Sequence, residues 1–129
     1  MRAYDADVII AGAGMAGATL ALALKSGGLK PLLVDPQPFD AQLAPTFDGR
    51  SSAIAYSSFR QWRAIGAGES LEPHAQRIEQ ILVTDGRTPG AAARKPSASF
   101  LRFDSSEISG RIEGEPLGYL LENRQIRAA

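Results

Sequence analysis

The sequence contains no cysteine and only one histidine, and both shortages narrow the chemistry that it can support. Without cysteine the chain can form no disulfide, no thiolate zinc site and no cysteine nucleophile. His74 follows Pro73 in a polar stretch, with no serine or carboxylate at the spacing of a catalytic triad, so we expect it at the surface. The sequence therefore predicts no metal site and identifies no catalytic residue.

Net charge and a long membrane-type run are lacking as well. Fourteen basic residues balance fourteen acidic ones, which removes the usual argument for nucleic acid or an anionic surface as a partner. The apolar run over residues 8–24 is 17 residues long, contains three glycines and follows two aspartates, unlike a signal peptide or a membrane span. We expect a cytoplasmic protein of one domain's size, with peripheral membrane association left open.

The sequence is organised around a glycine-rich turn between a short β-branched run and an apolar helical segment. Gly12, Gly14 and Gly17 stand in G-x-G-x-x-G spacing. In a dinucleotide site the first glycine allows a tight turn, the second lets a pyrophosphate approach the backbone, and the third lets the helix pack against the sheet. Backbone N–H groups at the start of such a helix can hold an anion. The predicted pyrophosphate contacts are Gly12, Ala13, Gly14, Met15, Ala16 and Gly17.

A second strand and an acid follow at the spacing that the motif requires. We expect strands over residues 7–11 and 31–35, and a helix over residues 14–26 between them. The continuous apolar runs predict a first strand that is buried on both faces and a helix that is covered. Asp35 ends the second strand, where its carboxylate can accept hydrogen bonds from an adenosine ribose, which favours FAD or NAD over NADP. The alternative is an ordinary βαβ start with a surface aspartate.

The predicted fold class is α/β, a Rossmann-like βαβ unit with additional β-strands. The further predicted elements are a proline-containing loop over residues 36–50, a helix over 51–65, strands over 78–84, 100–104 and 118–122, a mobile excursion over 87–98 and a helix from 123. Phe59 and Trp62 recur at helical spacing and predict a core-facing stripe. Because only one βαβ unit is visible and the last helix has no stop signal, we expect residues 1–129 to be the N-terminal part of a larger FAD/NAD(P)-binding domain.

Three blocks in order resemble the N-terminal region of the ubiquinone-biosynthesis FAD-dependent hydroxylases. They are residues 7–24, residues 48–54 (DGRSSAI) and residues 118–127 (GYLLENRQIR). That family, similar to 2-polyprenyl-6-methoxyphenol hydroxylase, belongs to the p-hydroxybenzoate hydroxylase class of flavoprotein monooxygenases. The first block is shared with many flavoproteins, whereas the second and third blocks at this spacing are more specific. The resemblance extends from Asp7 to Ala129.

The resemblance implies an oxidoreductase that binds FAD and uses NAD(P)H and O2 to hydroxylate a small phenol, with or without a polyprenyl tail. It implies that Asp35 holds the ribose and that Arg50 reaches the cofactor from the loop-to-helix junction. It also implies that Arg124, or Asn123 beside it, approaches the flavin side. On the residues alone, both arginines are equally well explained as solvated surface groups, and Arg127 lies on the same helix start.

Two hypotheses therefore remain in competition. The first is the FAD-binding portion of an aromatic hydroxylase whose substrate pocket and second flavin contact lie in a later part of the chain, so that these residues alone are expected to be inactive. The second is a stand-alone, non-catalytic module that binds FAD or NAD. The unfinished last helix favours the first. Association with the membrane or with a biosynthetic complex stays open under either.

Overall fold

The chain contains both strands and helices, and all of its described strands have three to five residues. The structure is a computed structural model that describes residues 4–43, 46–83, 101–108 and 114–129. In chain order the elements are β1 (Val8–Ala11), α1 (Met15–Ser26), β2 (Pro31–Val34), α2 (Phe39–Gln42), β3 (Ser51–Ala55), α3 (Tyr56–Ala64), α4 (Gly68–Leu71), β4 (Gln76–Ile78), β5 (Gln80–Val83), β6 (Leu101–Asp104), β7 (Gly118–Glu122) and α5 (Asn123–Ala128). Two short 3-10 turns, Glu72–His74 and Ser105–Glu107, complete the order.

The first three elements form the predicted βαβ unit. β1 and β2 pair in parallel, from Val8 opposite Pro31 to Ala11 opposite Val34. α1 ends at a glycine pair whose second member, Gly28, has φ +85°, a conformation that glycine adopts without steric cost. The predicted strands and helix are thus confirmed to within a residue or two at their ends.

The burial predicted for this unit is wrong over the described residues. Ile10 is buried, but Ile9 on the opposite face of β1 is 69% exposed, and Ala21 is the buried residue that α1 contributes. The reason is topological. In the part of the chain that the structure describes, β1 and β2 pair only with each other, and α1 packs on one face of the pair.

A second, antiparallel sheet has the strand order β3-β7-β4. Residues 51–55 form its strand β3, so the predicted helix over 51–65 is wrong in its first part and begins only at Tyr56. All five residues of β3 pair with β7, and this long-range pairing overrides the local helical pattern. The predicted loop over 36–50 likewise contains the short helix α2.

The core lies between α3, α4 and β7. Its buried members are Phe59, Trp62, Ala67, Leu71, Tyr119 and Leu121, and Leu22 and Ile126 pack against them. The burial of Phe59 and Trp62 confirms the predicted core-facing stripe, and the rings of Phe59 and Tyr119 lie 4.2 Å apart between centroids. Trp62 also donates its indole N–H to the Thr19 hydroxyl at 2.9 Å, and this bond ties α3 to α1.

The remaining strands form a separate antiparallel pair, β5 with β6. The predicted strand over 78–84 is divided at Glu79, since residues 76–78 join β7 whereas residues 80–83 pair with β6. The predicted strand over 100–104 is confirmed over its described residues 101–104, and the strand over 118–122 and the helix from 123 are confirmed as well. The predicted excursion over 87–98 lies outside the described residues. In the described ranges, no helix combines the length and the apolar character needed to cross a membrane.

Candidate cofactor-binding site

The three glycines of the turn have three different surroundings. Gly12 has φ +103°, so the turn out of β1 uses a conformation that favours glycine. A Cβ on Gly14 would meet no atom within 4 Å. A Cβ on Gly17 would lie 1.9 Å from the carbonyl oxygen of Gly12, so the close approach of helix to turn requires glycine there. A ligand group can therefore approach the backbone at Gly14, whereas at Gly17 the helix is packed directly against the turn.

The start of α1 offers backbone donors beside that open position. Gly14 is the N-cap residue, and the N–H of Ala18 donates to its carbonyl at 2.9 Å, which is the first hydrogen bond of the helix. The N–H groups before Ala18, those of Met15, Ala16 and Gly17, precede the intrahelical ladder. Because the helix dipole adds to their partial positive charge, this end of α1 is suited to an anion.

Asp35 faces the glycine turn across the ends of the two parallel strands. Its Oδ2 accepts a hydrogen bond from the N–H of Ala13 at 2.8 Å, and its Oδ1 accepts one from the N–H of Gln37 at 2.9 Å. These two bonds, that from Ala13 above all, hold the pKa of Asp35 below its usual value. Each carboxylate oxygen retains a lone pair for a further donor, such as a sugar hydroxyl. The N–H of Ala13 is directed at Asp35 in this arrangement.

The pairing of β3 with β7 brings two distant sequence blocks to the same place. Ser51 lies opposite Glu122, and the N–H of Asn123 donates to the carbonyl of Arg50 at 3.1 Å. The Ser52 hydroxyl donates to the side-chain oxygen of Asn123 at 2.7 Å. Arg50 thus stands at a loop-to-strand junction, and the predicted loop-to-helix junction is wrong because β3 begins at Ser51.

One carboxylate, that of Asp48, holds two arginines at this junction. Nη2 of Arg50 lies 2.9 Å from Oδ2 of Asp48, and Nη1 of Arg127 lies 3.1 Å from the same oxygen. Desolvation acts to raise the pKa of Asp48, but the hydrogen bonds from Arg50 and Arg127 outweigh it and the net shift is downward. The Arg50 side chain is 71% exposed, whereas that of Arg127 is only 26% exposed.

These groups share one cleft of about 540 Å³. Its lining residues are Gly14, Asp35, Pro36, Gln37, Ala41, Gln42, Thr46, Asp48, Arg50 and Arg127. A more apolar cavity of about 140 Å³ adjoins it, and Gly14, Gln42 and Arg127 line both. An open backbone turn, two acids and two guanidinium groups around one cleft fit an elongated ligand that carries both sugar hydroxyls and phosphate, as a dinucleotide does.

Arg124 lies apart from this cleft. Its Nε donates to Oε2 of Glu122 at 2.5 Å, and its guanidinium carbon lies 6.0 Å from the centre of the Phe47 ring. Sequence reasoning did not assign the clamp by Asp48 or the position of Arg127. Because residues three positions apart lie on the same face of a helix, the spacing of Arg124 and Arg127 could not show which of the two lines the cleft.

Comparisons with known proteins show which sequences this chain is similar to. Residues 5–110 match the family model of the FAD binding domain. Over 124 residues the chain is 38% identical to the ubiquinone hydroxylase UbiL of Rhodospirillum rubrum and 30% identical to the ubiquinone hydroxylase UbiM of Neisseria meningitidis serogroup C. These matches cover 96% and 95% of this chain. It is also 26% identical, over 74% of its length, to 3-hydroxybenzoate 6-hydroxylase 1 of Aquipseudomonas alcaligenes.

The relatives that this chain matches are much longer than the chain itself. The chain spans about a quarter of the relatives it resembles, 26% of UbiL and 25% of UbiM. The family model nevertheless covers the glycine turn, Asp35 and Arg50 together. Its extent and the Rossmann-like βαβ geometry around Gly14 lead to one conclusion: the chain belongs to the FAD-binding domain family.

Proposed function

We propose that this chain is the FAD-binding portion of a flavin-dependent aromatic-ring monooxygenase of ubiquinone biosynthesis that uses NAD(P)H and O2. One observation carries the proposal: the open backbone at Gly14 shares a cleft with Asp35 and Arg50, in a chain 38% identical to a ubiquinone hydroxylase. All three relatives named above are hydroxylases, which favours this function over a stand-alone nucleotide-binding module.

Different residues of the cleft bind different parts of the cofactor in this proposal. The backbone of residues 12–17 surrounds the pyrophosphate. The N–H groups of Met15, Ala16 and Gly17 hold it, because those of Gly12 and Ala13 donate to Val34 and Asp35. Asp35 accepts hydrogen bonds from the ribose hydroxyls, and the planar guanidinium of Arg50 donates hydrogen bonds to phosphate oxygens. Arg124 remains our candidate for the flavin side, near Phe47. FAD, when bound, supplies the electron transfer and the activation of oxygen, and this chain binds and orients it.

The substrate that fits the proposal is a small phenol, with or without a polyprenyl tail. Residues for the substrate pocket and for any catalytic proton transfer are proposed to lie outside these 129 residues, in a longer protein of which this chain is the N-terminal part. A tailed substrate would bring the protein to the membrane surface, so peripheral association or a biosynthetic complex belongs to the same proposal.

Flavin fluorescence quenching tests the proposal directly. FAD is titrated into the full-length protein that contains this chain, into its Asp35→Ala variant, and into its Asp40→Ala variant as a control that removes an exposed acid on α2. We expect Asp35→Ala to weaken FAD binding about tenfold or more, because the ribose hydroxyls lose a charged acceptor. We expect no change for Asp40→Ala. Equal affinity of all three proteins would remove the ribose role, and absence of FAD binding by the unaltered protein would overturn the proposed function.

A further inference from the structure

We infer that Arg127 supplies a second guanidinium to the diphosphate of the bound cofactor, held in position by Asp48. The inference rests on the proposed function and adds to it a residue that no comparison assigns. Arg127 belongs to α5, more than seventy positions from the loop that carries Asp48 and Arg50, yet its guanidinium lies 3.1 Å from Oδ2 of Asp48. It lines both the cleft and the adjoining apolar cavity, as Gly14 does.

Charge is the first argument for this assignment. Asp48 is shared by two guanidinium groups, so Asp48, Arg50 and Arg127 together carry a net charge of +1. Asp35, the other acid of the cleft lining, is met by the backbone N–H groups of Ala13 and Gln37. The two arginines are therefore available to an anion that approaches Gly14. Guanidinium groups suit phosphate because their five donors match its oxygens in a fixed plane.

Order is the second argument. The Arg127 side chain is 26% exposed, whereas that of Arg50 is 71% exposed. A half-buried guanidinium loses less conformational freedom when it binds an anion, and its field is less screened by water. Arg124, which the resemblance assigns to the flavin side, is paired with Glu122 and lines neither cavity. The geometry thus assigns the phosphate contact to Arg127 within α5.

The test compares ligands with and without phosphate. Binding of FAD, ADP and adenosine is measured on the unaltered full-length protein that contains this chain and on its Arg127→Gln variant, with ADP and adenosine followed by competition against FAD fluorescence. Arg60→Gln, the same change at an exposed position of α3, is the matched control, and Arg127→Lys retains the charge without the planar guanidinium. We expect Arg127→Gln to weaken FAD and ADP about tenfold and to leave adenosine unchanged. We expect Arg127→Lys to recover part of that loss.

The possible results distinguish a failure of the role assigned to Arg127 from a failure of the proposed function. Unchanged ADP affinity in Arg127→Gln, while Asp35→Ala still weakens FAD, removes the role of Arg127 and leaves the proposed function standing. An equal loss of ADP and adenosine assigns Arg127 a purely structural role and overturns the inference. If the unaltered protein binds neither FAD nor ADP, the proposed function falls and the inference falls with it.

Discussion

At the scale of single residues, Gly14 and Gly17 stand three positions apart in one motif yet face opposite constraints. We expect Gly17→Ala to destabilise the protein by about 1–3 kcal/mol, since its Cβ would meet the Gly12 carbonyl oxygen at 1.9 Å. Gly14→Ala should cost less than about 1 kcal/mol, as expected for an N-cap position in open space, and should instead weaken FAD binding. Thermal melts and FAD titrations of both variants check this. Equal stability losses would contradict it.

Asp35 gives a prediction that depends on pH. Its pKa in the folded protein lies below the ordinary value of 3.8, because the N–H groups of Ala13 and Gln37 bond to the ionised form. A carboxyl with a depressed folded pKa contributes stability above its unfolded pKa and loses that contribution as pH falls through the folded one. We expect the stability difference between the protein and Asp35→Asn to be constant from pH 7 to about pH 5 and to shrink below pH 4. Urea unfolding at several pH values measures it, and a difference that grows in acid would refute the assignment.

The residues that sequence reasoning located are those fixed by local geometry. Gly12, Gly14, Gly17 and Asp35 belong to one βαβ unit, where spacing along the chain sets spacing in space. Arg127 could not be located in the same way. Its partner Asp48 lies 79 positions earlier, and only the pairing of β3 with β7 brings the two together.

At the scale of elements, the same distinction separates the confirmed helix α1 from the mispredicted strand β3. The helix α1 depends on residues that are close in sequence, so the periodicity of its sequence is enough to predict it. Residues 51–55 continue the apolar spacing of α3 toward its N-terminus, and that spacing favours helix. Their backbone groups instead pair with β7, whose position no local pattern reports.

The link between α3 and α1 is a testable contact between elements. The indole N–H of Trp62 donates to the Thr19 hydroxyl, which itself donates to the carbonyl of Met15 at 2.7 Å. We expect Trp62→Phe to cost more than the hydrogen bond alone, because the ring is buried and becomes smaller. A double-mutant cycle with Thr19→Val isolates the bond, with an expected coupling of about 0.5–1.5 kcal/mol. Denaturant unfolding provides the four free energies, and additive losses would mean that the contact contributes nothing.

At the scale of the whole molecule, stability and binding lie in different parts. The core is built around Phe59, Leu71 and Leu121, in α3, α4 and β7. The βαβ unit supplies the glycine turn and Asp35, but Ile9, Leu32 and Val34 leave one face of its strand pair exposed. The glycine turn and Asp35 therefore belong to the less buried part of the described structure.

Hydrogen exchange should reveal this division. β7 pairs on both sides and is largely buried, whereas β1 and β2 pair only with each other in the described chain. We expect amides of β7 to exchange more slowly than those of β1, because local opening requires less free energy where fewer contacts are lost. FAD should slow exchange at residues 12–17 in particular. Mass spectrometry of peptides from the two strands checks both statements, and equal protection of β1 and β7 would contradict the first.

The antiparallel contact of Arg50 with Asn123 also dictates when the protein becomes competent to hold a ligand. The turn at Gly14 and the acid at Asp35 can assemble from neighbouring segments, but the cationic side needs a loop of about seventy residues to close, as the Ser52–Asn123 bond spans 71 positions. Closure over such a distance is slow compared with forming a helix or a tight turn. During ribosomal synthesis the glycine turn and Asp35 would therefore be in place first. We expect tight nucleotide binding only after α5 has been synthesised.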